Sequence, residues 1–405
     1  MKNNKKKYLI FFTLNNLPKR NMASSIQFVN SANAAANLGY PTVLINLNNR
    51  VMSLNPINWI CPFRPKKPKK SLIKFYNIQK KLKIIALPNP WPIDSLEKKY
   101  ISSVALAKRY FLPRFIFPKT KLFYTKDWNF AKLAVENKIP TIFDWDFLVE
   151  EDFESEIVNS PFFKLAVAIT KDVKENMIKY GMPPEKVLQA PNGMNQSFLI
   201  RQPKKVKEWY RMFFQGNYKS IAVYAGALED YKGISLLIDI AKELPEMLFV
   251  IAGGPTSREE HYKKIAIKKN VKNINFLGYI AHDKLISLLQ SADVLAHPHI
   301  STADAEFTSP LKFFEYLASG TPIAITKIPA LKEFEKNNLA MNWCKPDDPN
   351  EFAKCIQRTL EKYPRKIEGY KQNIEFAKKF TWEKRIEKIL SYVDEKYRPE
   401  KTLTD

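Results

Sequence analysis

The sequence predicts an α/β protein of two doubly wound domains facing across a cleft, with a C-terminal helix crossing back to the first domain. Two observations carry this expectation. Short apolar runs such as Tyr8–Thr13 and Leu248–Ala252 recur between helix-length segments, as strands buried on both faces of a parallel sheet do. The alternation occurs twice, on either side of a charged stretch at Arg201, Pro203, Lys204 and Lys205 that reads as a linker. The expected first domain is therefore 1–198, with 380–405 packed back on it, and the second is 199–379.

The chain opens with a βαβ unit. Tyr8–Thr13 is the first strand, 23–38 a helix carrying Ile26, Val29, Ala32 and Ala36 and stopped by Gly39, and 41–46 the next strand. Residues 51–118 contain nine prolines, among them Pro56, Pro88 and Pro113, and read as a loop-rich region. Regular alternation resumes with strand character over 121–124, a helix over 128–137 and a strand over 140–143. That strand leads into Asp144, Trp145 and Asp146, and carboxylates just past the carboxyl end of a parallel strand face the binding crevice. A strand over 165–169 and a helix over 171–180, with Thr170 as its N-cap and Gly181 as its stop, follow.

In the second half, the strand 221–224 runs into Gly226, and Lys232 and Gly233 precede a helix. The strand 248–252 ends in Gly253, Gly254 and Pro255, where absent side chains leave room for a ligand. The strand 274–277 ends near Tyr279 and Ile280. The strand 294–296 precedes His297, Pro298 and His299, which read as structural because no carboxylate or cysteine shares their spacing.

The most informative stretch is Ala305 to Pro322. Ser309 is an N-cap, Pro310 suits the first helical position, and Leu311, Phe314, Leu317 and Ala318 form an apolar face ended by Gly320. Unpaired amides and the helix dipole at such a start, beside Lys312, make an anion site. Glu315 lies roughly 9 Å further along the axis, at the reach of a ribose whose phosphates sit at the helix start.

These residues resemble the nucleotide-sugar motif of glycosyltransferase family 4, retaining enzymes of the GT-B fold built from two Rossmann-like domains. The resemblance implies a transferase moving a sugar from a nucleoside diphosphate sugar to a glycan or lipid-linked acceptor in cell-surface polysaccharide synthesis, with no essential metal and no cofactor beyond the donor. It implies donor contacts from Gly226, Lys232, Gly233, Gly254, Tyr279, Ile280, Thr308, Ser309, Pro310, Leu311, Lys312 and Glu315. Glu306 takes the position near the sugar, although strict spacing falls on Phe307. The family's basic residue after the first glycine is replaced by Ala227, which leaves its charge to Lys312 with Lys232 as partner. Acceptor contacts fall on Asn16, Lys19 and Arg20, where the family often has a Gly-Gly pair. No histidine precedes residue 200, so Asp146 stands at the family's catalytic histidine and Asp144 at its glutamate. Asp-x-Asp after a strand is also a metal-binding arrangement in other glycosyltransferases. Two further readings stay open: a nucleotide-sugar epimerase on this fold, and a non-catalytic, membrane-docked nucleotide-sugar-binding protein.

Charge and composition constrain partners. The chain carries net +24, and residues 1–120 hold 22 Lys or Arg against Asp94 and Glu97, so 22 − 2 = +20 lies there. Between Arg64 and Lys83, lysines interleave with Leu72, Ile73, Phe75, Tyr76, Ile78 and Leu82, a composition suited to an anionic membrane surface or to a solvated basic face. Nucleic acid is not expected as a partner, since no nucleic-acid-binding motif accompanies the charge. Three scattered cysteines, and no run of apolar residues long enough to span a bilayer, lead to the expectation of a cytoplasmic protein, peripheral on the inner face of the plasma membrane.

Overall fold

The structure, a computed structural model, describes residues 7–18, 23–47, 56–88, 101–214, 218–302 and 311–402. It divides into two compact units, Met1–Pro191 with Trp382–Asp405, and Asn192–Thr381.

The first unit holds a seven-stranded sheet in the order β3-β2-β1-β4-β5-β6-β7. Its strands are β1 (Tyr8–Thr13), β2 (Thr42–Leu47), β3 (Lys83–Leu87), β4 (Thr120–Thr125), β5 (Thr141–Trp145), β6 (Phe163–Ala168) and β7 (Val187–Gln189), all paired in parallel. Three of its helices are α1 (Ala23–Asn37), α2 (Trp128–Glu136) and α3 (Lys171–Lys179). Asp127 caps α2 by accepting from the Phe130 amide at 3.3 Å, and Thr170 caps α3 by accepting from the Val173 amide at 3.2 Å.

The second unit holds a six-stranded parallel sheet in the order β10-β9-β8-β11-β12-β13. The strands are β8 (Ser220–Ala225), β9 (Met247–Ala252), β10 (Ile274–Gly278), β11 (Val294–His297), β12 (Ile323–Thr326) and β13 (Met341–Cys344). Helices α4 (Pro203–Phe213), α5 (Ile234–Glu243), α6 (Thr256–Lys268), α7 (His282–Ser291), α8 (Leu311–Ser319) and α9 (Pro349–Lys362) accompany it, and α10 (Trp382–Ser391) belongs to the first unit. In each sheet the winding reverses once, between β1 and β4 and between β8 and β11. Loops leaving the carboxyl ends of those pairs border a crevice.

Helix α8 is buried on more sides than its sequence pattern predicts. Phe313, Phe314, Tyr316, Leu317 and Ala318 are all inaccessible, and full burial of each large side chain is worth about 1.5–3 kcal/mol. Only the stripe of Leu311, Lys312 and Glu315 stays partly open before the last residue of the helix. Packing fixes the helix and leaves this stripe accessible.

Three expectations change. The charged stretch at 201–205 is no linker: Pro203 starts α4, and Phe198 lies within the core of the second unit, so the chain passes between units at Pro191 and Asn192. The region 51–118 is more ordered than its prolines imply. Its described part contains the helix Lys70–Tyr76, strand β3 and a helical stretch Ile101–Ile116, whose Pro113 sits in a wide π-type turn that tolerates a missing amide hydrogen. Finally, β5 extends to Trp145, so Asp144 is inside the strand and not beyond it.

Candidate functional site

The carboxyl ends of β8 and β11 and the open stripe of α8 bring Lys232 and Lys312 together. Gly226 follows β8 with φ +156, and a Cβ there would overlap the Lys312 ammonium. Absence of a side chain is what admits that ammonium. Lys312 Nζ donates to Tyr224 Oη at 2.7 Å, and Tyr224 Oη donates onward to the Ala227 carbonyl at 2.6 Å. The same ammonium stands 4.1 Å from the centre of the Tyr224 ring. Tyr316 Oη accepts from the Ala225 amide at 2.8 Å, tying α8 to the end of β8.

Lys232 ends a 3-10 turn and is only 6% exposed, a rare condition for a lysine, and it forms no ion pair among the described residues. Gly233 (φ +74) follows, and a Cβ there would overlap the Pro298 carbonyl, so the Lys232 turn is seated directly on the loop after β11. Burial pushes the Lys232 ammonium down to about 7 against the opposing charge of Glu229. Burial, and then the charge of Lys232, also hold Lys312 well below its ordinary value. Burial pushes the Glu315 carboxyl up to about 8, opposed by Lys312. Two buried amino groups acting on one another in this way each gain from a nearby negative charge.

Other expected donor residues fall as follows. Tyr279 is 59% exposed, and Ile280 packs against the core of the second unit beside it. Gly254 (φ +74) has no room for a side chain: a Cβ there would approach Leu228 Cγ at 2.5 Å, and one at Gly253 would overlap the Gly226 carbonyl. These glycines let the β8 and β9 loops pack together. Leu311 is half-buried at the start of α8. Glu306, Thr308, Ser309 and Pro310 lie outside the described residues, as do Lys19 and Arg20 of the first unit.

In the first unit the two aspartates separate. Asp144 is fully buried within β5, on the face opposite Phe143 and Trp145, and does not point into the crevice. Arg385 Nη2 donates to its two oxygens at 3.0 and 3.1 Å, and Tyr124 Oη donates at 2.6 Å. Burial pushes this carboxyl up, and the charges of Arg385 and Lys126 with these hydrogen bonds reverse that, leaving it below the usual carboxylate range. Asp144 is thus a structural ion-pair residue, which corrects its expected catalytic role. Asp146 does follow β5. It is ion-paired with Lys126, which also donates to Gln27 of α1. Asp146 Oδ1 and Gln27 Nε2 are buried and have no partner among the described residues. Asn16 lies in the loop after β1 and is half-buried.

Sequence reasoning missed Lys126, Gln27, Tyr124 and Arg385. Lys126 was findable, because it follows β4 at the winding reversal of the sheet. Arg385 was not, since its partner is 241 residues away.

Two doubly wound parallel sheets, the second with ammonium groups gathered at its switch point, define a protein of the GT-B fold. Residues 208–380 match the family described as Glycosyl transferases group 1. An uncharacterized glycosyltransferase of Methanocaldococcus jannaschii is 26% identical over 230 residues, covering 54% of this chain and 55% of that protein. Alpha-galactosylglucosyldiacylglycerol synthase of Streptococcus pneumoniae is 28% identical over 171 residues, 40% of this chain and 44% of the synthase. The chain thus spans about half the length of these curated relatives. Among solved structures, Anabaena HepE in complex with UDP and glucose is similar with a TM-score of 0.65 at 15% identity, over 95% of this chain and 98% of HepE. WaaG, a glycosyltransferase involved in lipopolysaccharide biosynthesis, is similar with a TM-score of 0.61 at 12% identity, over 96% of this chain and all (100%) of WaaG.

Proposed function

We propose that the chain is a glycosyltransferase that takes a sugar from a nucleoside diphosphate sugar to a glycan or lipid-linked acceptor, with retention at the anomeric carbon. The observation that carries this is the seating of the Lys312 ammonium against Gly226, beside the buried Lys232, ahead of a helix start. A diphosphate placed there meets two ammonium groups and the amides of the first helical turn, which together offset leaving-group charge without a metal ion. Glu315 binds the ribose hydroxyls and Tyr279 and Ile280 flank the base. The likeness to HepE supports this reading, since HepE was solved with UDP, with UDP and glucose, and with UDP-glucose.

In the first unit, Asp146 orients the acceptor hydroxyl through its unpartnered Oδ1, with Lys126 and Gln27 holding the carboxylate in place. Relatives named as diacylglycerol glycosyltransferases support a lipid-linked acceptor, in cell-surface glycan synthesis. The basic face of 64–83 serves the same end. Lys66, Lys67, Lys69, Lys70, Lys74, Lys80 and Lys81 are exposed while Leu72, Tyr76, Ile78 and Leu82 are buried, so this face meets an anionic membrane by charge and not by insertion. Among the described residues no helix is long and apolar enough to cross a membrane.

Calorimetric titration with UDP-, GDP- and ADP-sugars tests the reading. Saturable binding of one of them that is lost in Lys312→Met supports it; binding of none overturns it.

A further inference from the structure

At the end of β11 two histidines form a pair that the proposed donor site has not used. His297 and His299 are 0% and 2% exposed, and their Nδ1 atoms are 2.9 Å apart, a hydrogen bond between rings. Both outer nitrogens, His297 Nε2 and His299 Nε2, are buried without a partner among the described residues. The loop that holds them is fixed: Thr326 Oγ1 donates to the His299 carbonyl at 2.8 Å, and the Ile300 amide donates to the Tyr231 carbonyl at 3.1 Å.

Among the described residues, the groups acting on the pair are basic or neutral. His297 stands edge-on to Tyr316, and His299 lies over Tyr231. Lys232 and Lys312 act on both rings, while the carboxylates acting on this cluster among the described residues are Glu229, on Lys232, and Glu315, on Lys312. Four basic side chains therefore crowd the β8–β11 switch point around two carboxylates. Burial and the neighbouring ammonium groups hold both imidazoles well below their ordinary value, so the ligand-free pair is neutral at physiological pH.

A neutral pair sharing one hydrogen between its Nδ1 atoms has one outer nitrogen with a hydrogen and one with a bare lone pair. Adding a single proton to the bare nitrogen leaves the shared bond intact, turns both outer nitrogens into donors, and adds one positive charge. A bound diphosphate favours that form, because its negative charge opposes the added positive one.

We propose that nucleotide-sugar binding in the second unit is proton-linked, with the His297–His299 pair taking one proton from solvent as the diphosphate enters. The inference rests on the donor-site reading above and adds to it a proton acceptor and a direction of pH dependence. By linkage, uptake of one proton makes affinity rise about tenfold for each unit the pH falls, over the range in which the free pair is neutral and the bound pair charged.

The test is calorimetry of UDP-glucose binding to the full chain near about pH 7.5, in two buffers of different ionisation enthalpy. The diphosphate of a sugar nucleotide has no proton of its own that titrates there, so the buffer-dependent heat reports the protein. Net proton uptake, to which Lys232 and Lys312 also contribute, that falls by about half a proton or more in His299→Gln or His297→Gln, with binding retained, is the expected result. Histidine-labelled NMR of the unsubstituted protein gives a second readout, in which both Nε2 nitrogens become protonated on adding UDP-glucose, and it does not depend on either variant folding. Binding whose heat is independent of buffer, or uptake unchanged in both variants, overturns the inference and leaves the donor site standing. Absence of binding for UDP-, GDP- and ADP-sugars at every pH overturns the donor site and this inference together.

Discussion

Arg385 of α10 places Nη2 3.0 and 3.1 Å from the two carboxylate oxygens of Asp144 in the middle of β5, with both side chains essentially inaccessible. Its Nε donates to the Pro191 carbonyl at 3.1 Å and its Nη1 to Tyr124 Oη at 3.1 Å, so one guanidinium joins the sheet, the last residue of the first segment and the C-terminal helix of the unit. Removing one partner leaves a buried charge unpaired, which costs about 3–5 kcal/mol. Arg385→Met and Asp144→Ala are each expected to lower the unfolding free energy by that amount in denaturant titrations, and Asp144→Leu with Arg385→Met together to recover a large part of it. Because the folded carboxyl is held below its unfolded value, its contribution is present above the unfolded value near ~4 and is lost as pH falls through the folded one. Acid titration of Asp144→Leu/Arg385→Met is expected to show a shallower loss of stability over that window.

Lys312 illustrates a trade between stability and binding. Its ammonium is held under-protonated by burial and by Lys232, which penalises the ligand-free fold. Lys312→Met is therefore expected to raise the melting temperature of the ligand-free chain while weakening nucleotide-sugar affinity about 100-fold, as loss of a charge-assisted contact does. Thermal unfolding and calorimetry on the same preparation check both halves.

Glu315 behaves in the same way with opposite charge. Below the unfolded carboxyl value both states are protonated and the group has no effect on stability. As pH rises the unfolded chain ionises first, and the penalty on the fold grows until about 8, where the folded carboxyl itself ionises. Discounted for its partial exposure, Glu315→Gln is expected to stabilise the ligand-free chain by about 1–3 kcal/mol at alkaline pH and by nothing near pH ~4, with donor affinity reduced. Denaturation curves at the two pH values decide it.

Asp146 and a metal make separable predictions. Asp146→Asn is expected to lower the transfer rate about 100-fold with donor affinity unchanged, since the residue belongs to the first unit. Chelation is expected to leave transfer intact. Activity lost on chelation and restored by Mg²⁺ or Mn²⁺ would place a cation at Asp146 and reverse the proposed chemistry.

Cosedimentation with anionic liposomes, falling as salt is raised from low ionic strength, checks the basic face of 64–83. Replacing Lys66, Lys67, Lys69 and Lys70 with Gln is expected to abolish it without loss of stability, because all four are exposed. Equal binding to neutral liposomes would show that charge is not what attracts the chain.

Much of the fold was legible because its determinants are local. The apolar runs of β1 and β9, Thr170 before α3 and Gly181 after it are short-range signals, and each sits where the sequence puts it. The clustering of Gly226, Lys232, Gly233 and Lys312 was legible for the same reason: each follows or starts an element whose end is readable. What was hidden is non-local. Nothing near Asp144 announces that a strand continues through it, since a charged residue in a central strand is acceptable only when a distant side chain neutralises it. The helix Lys70–Tyr76 and the stretch 101–116 were hidden by prolines that in fact sit at their starts or in a wide turn. That Gly226 and Leu228 fill the space beside Gly253 and Gly254 was hidden too, because sequence shows an absent side chain and not what occupies its place.

The separation between Asp144 and Arg385 also sets an order of events at the ribosome. At roughly 5–20 residues per second, the 241 residues between them take on the order of 10–50 s to synthesise, during which the nascent first sheet lacks the cation its central strand is built around. The second sheet, contiguous from Asn192 to Thr381, is complete before that cation emerges. Maturation therefore runs in reverse of synthesis, with the unit begun first being the last to close.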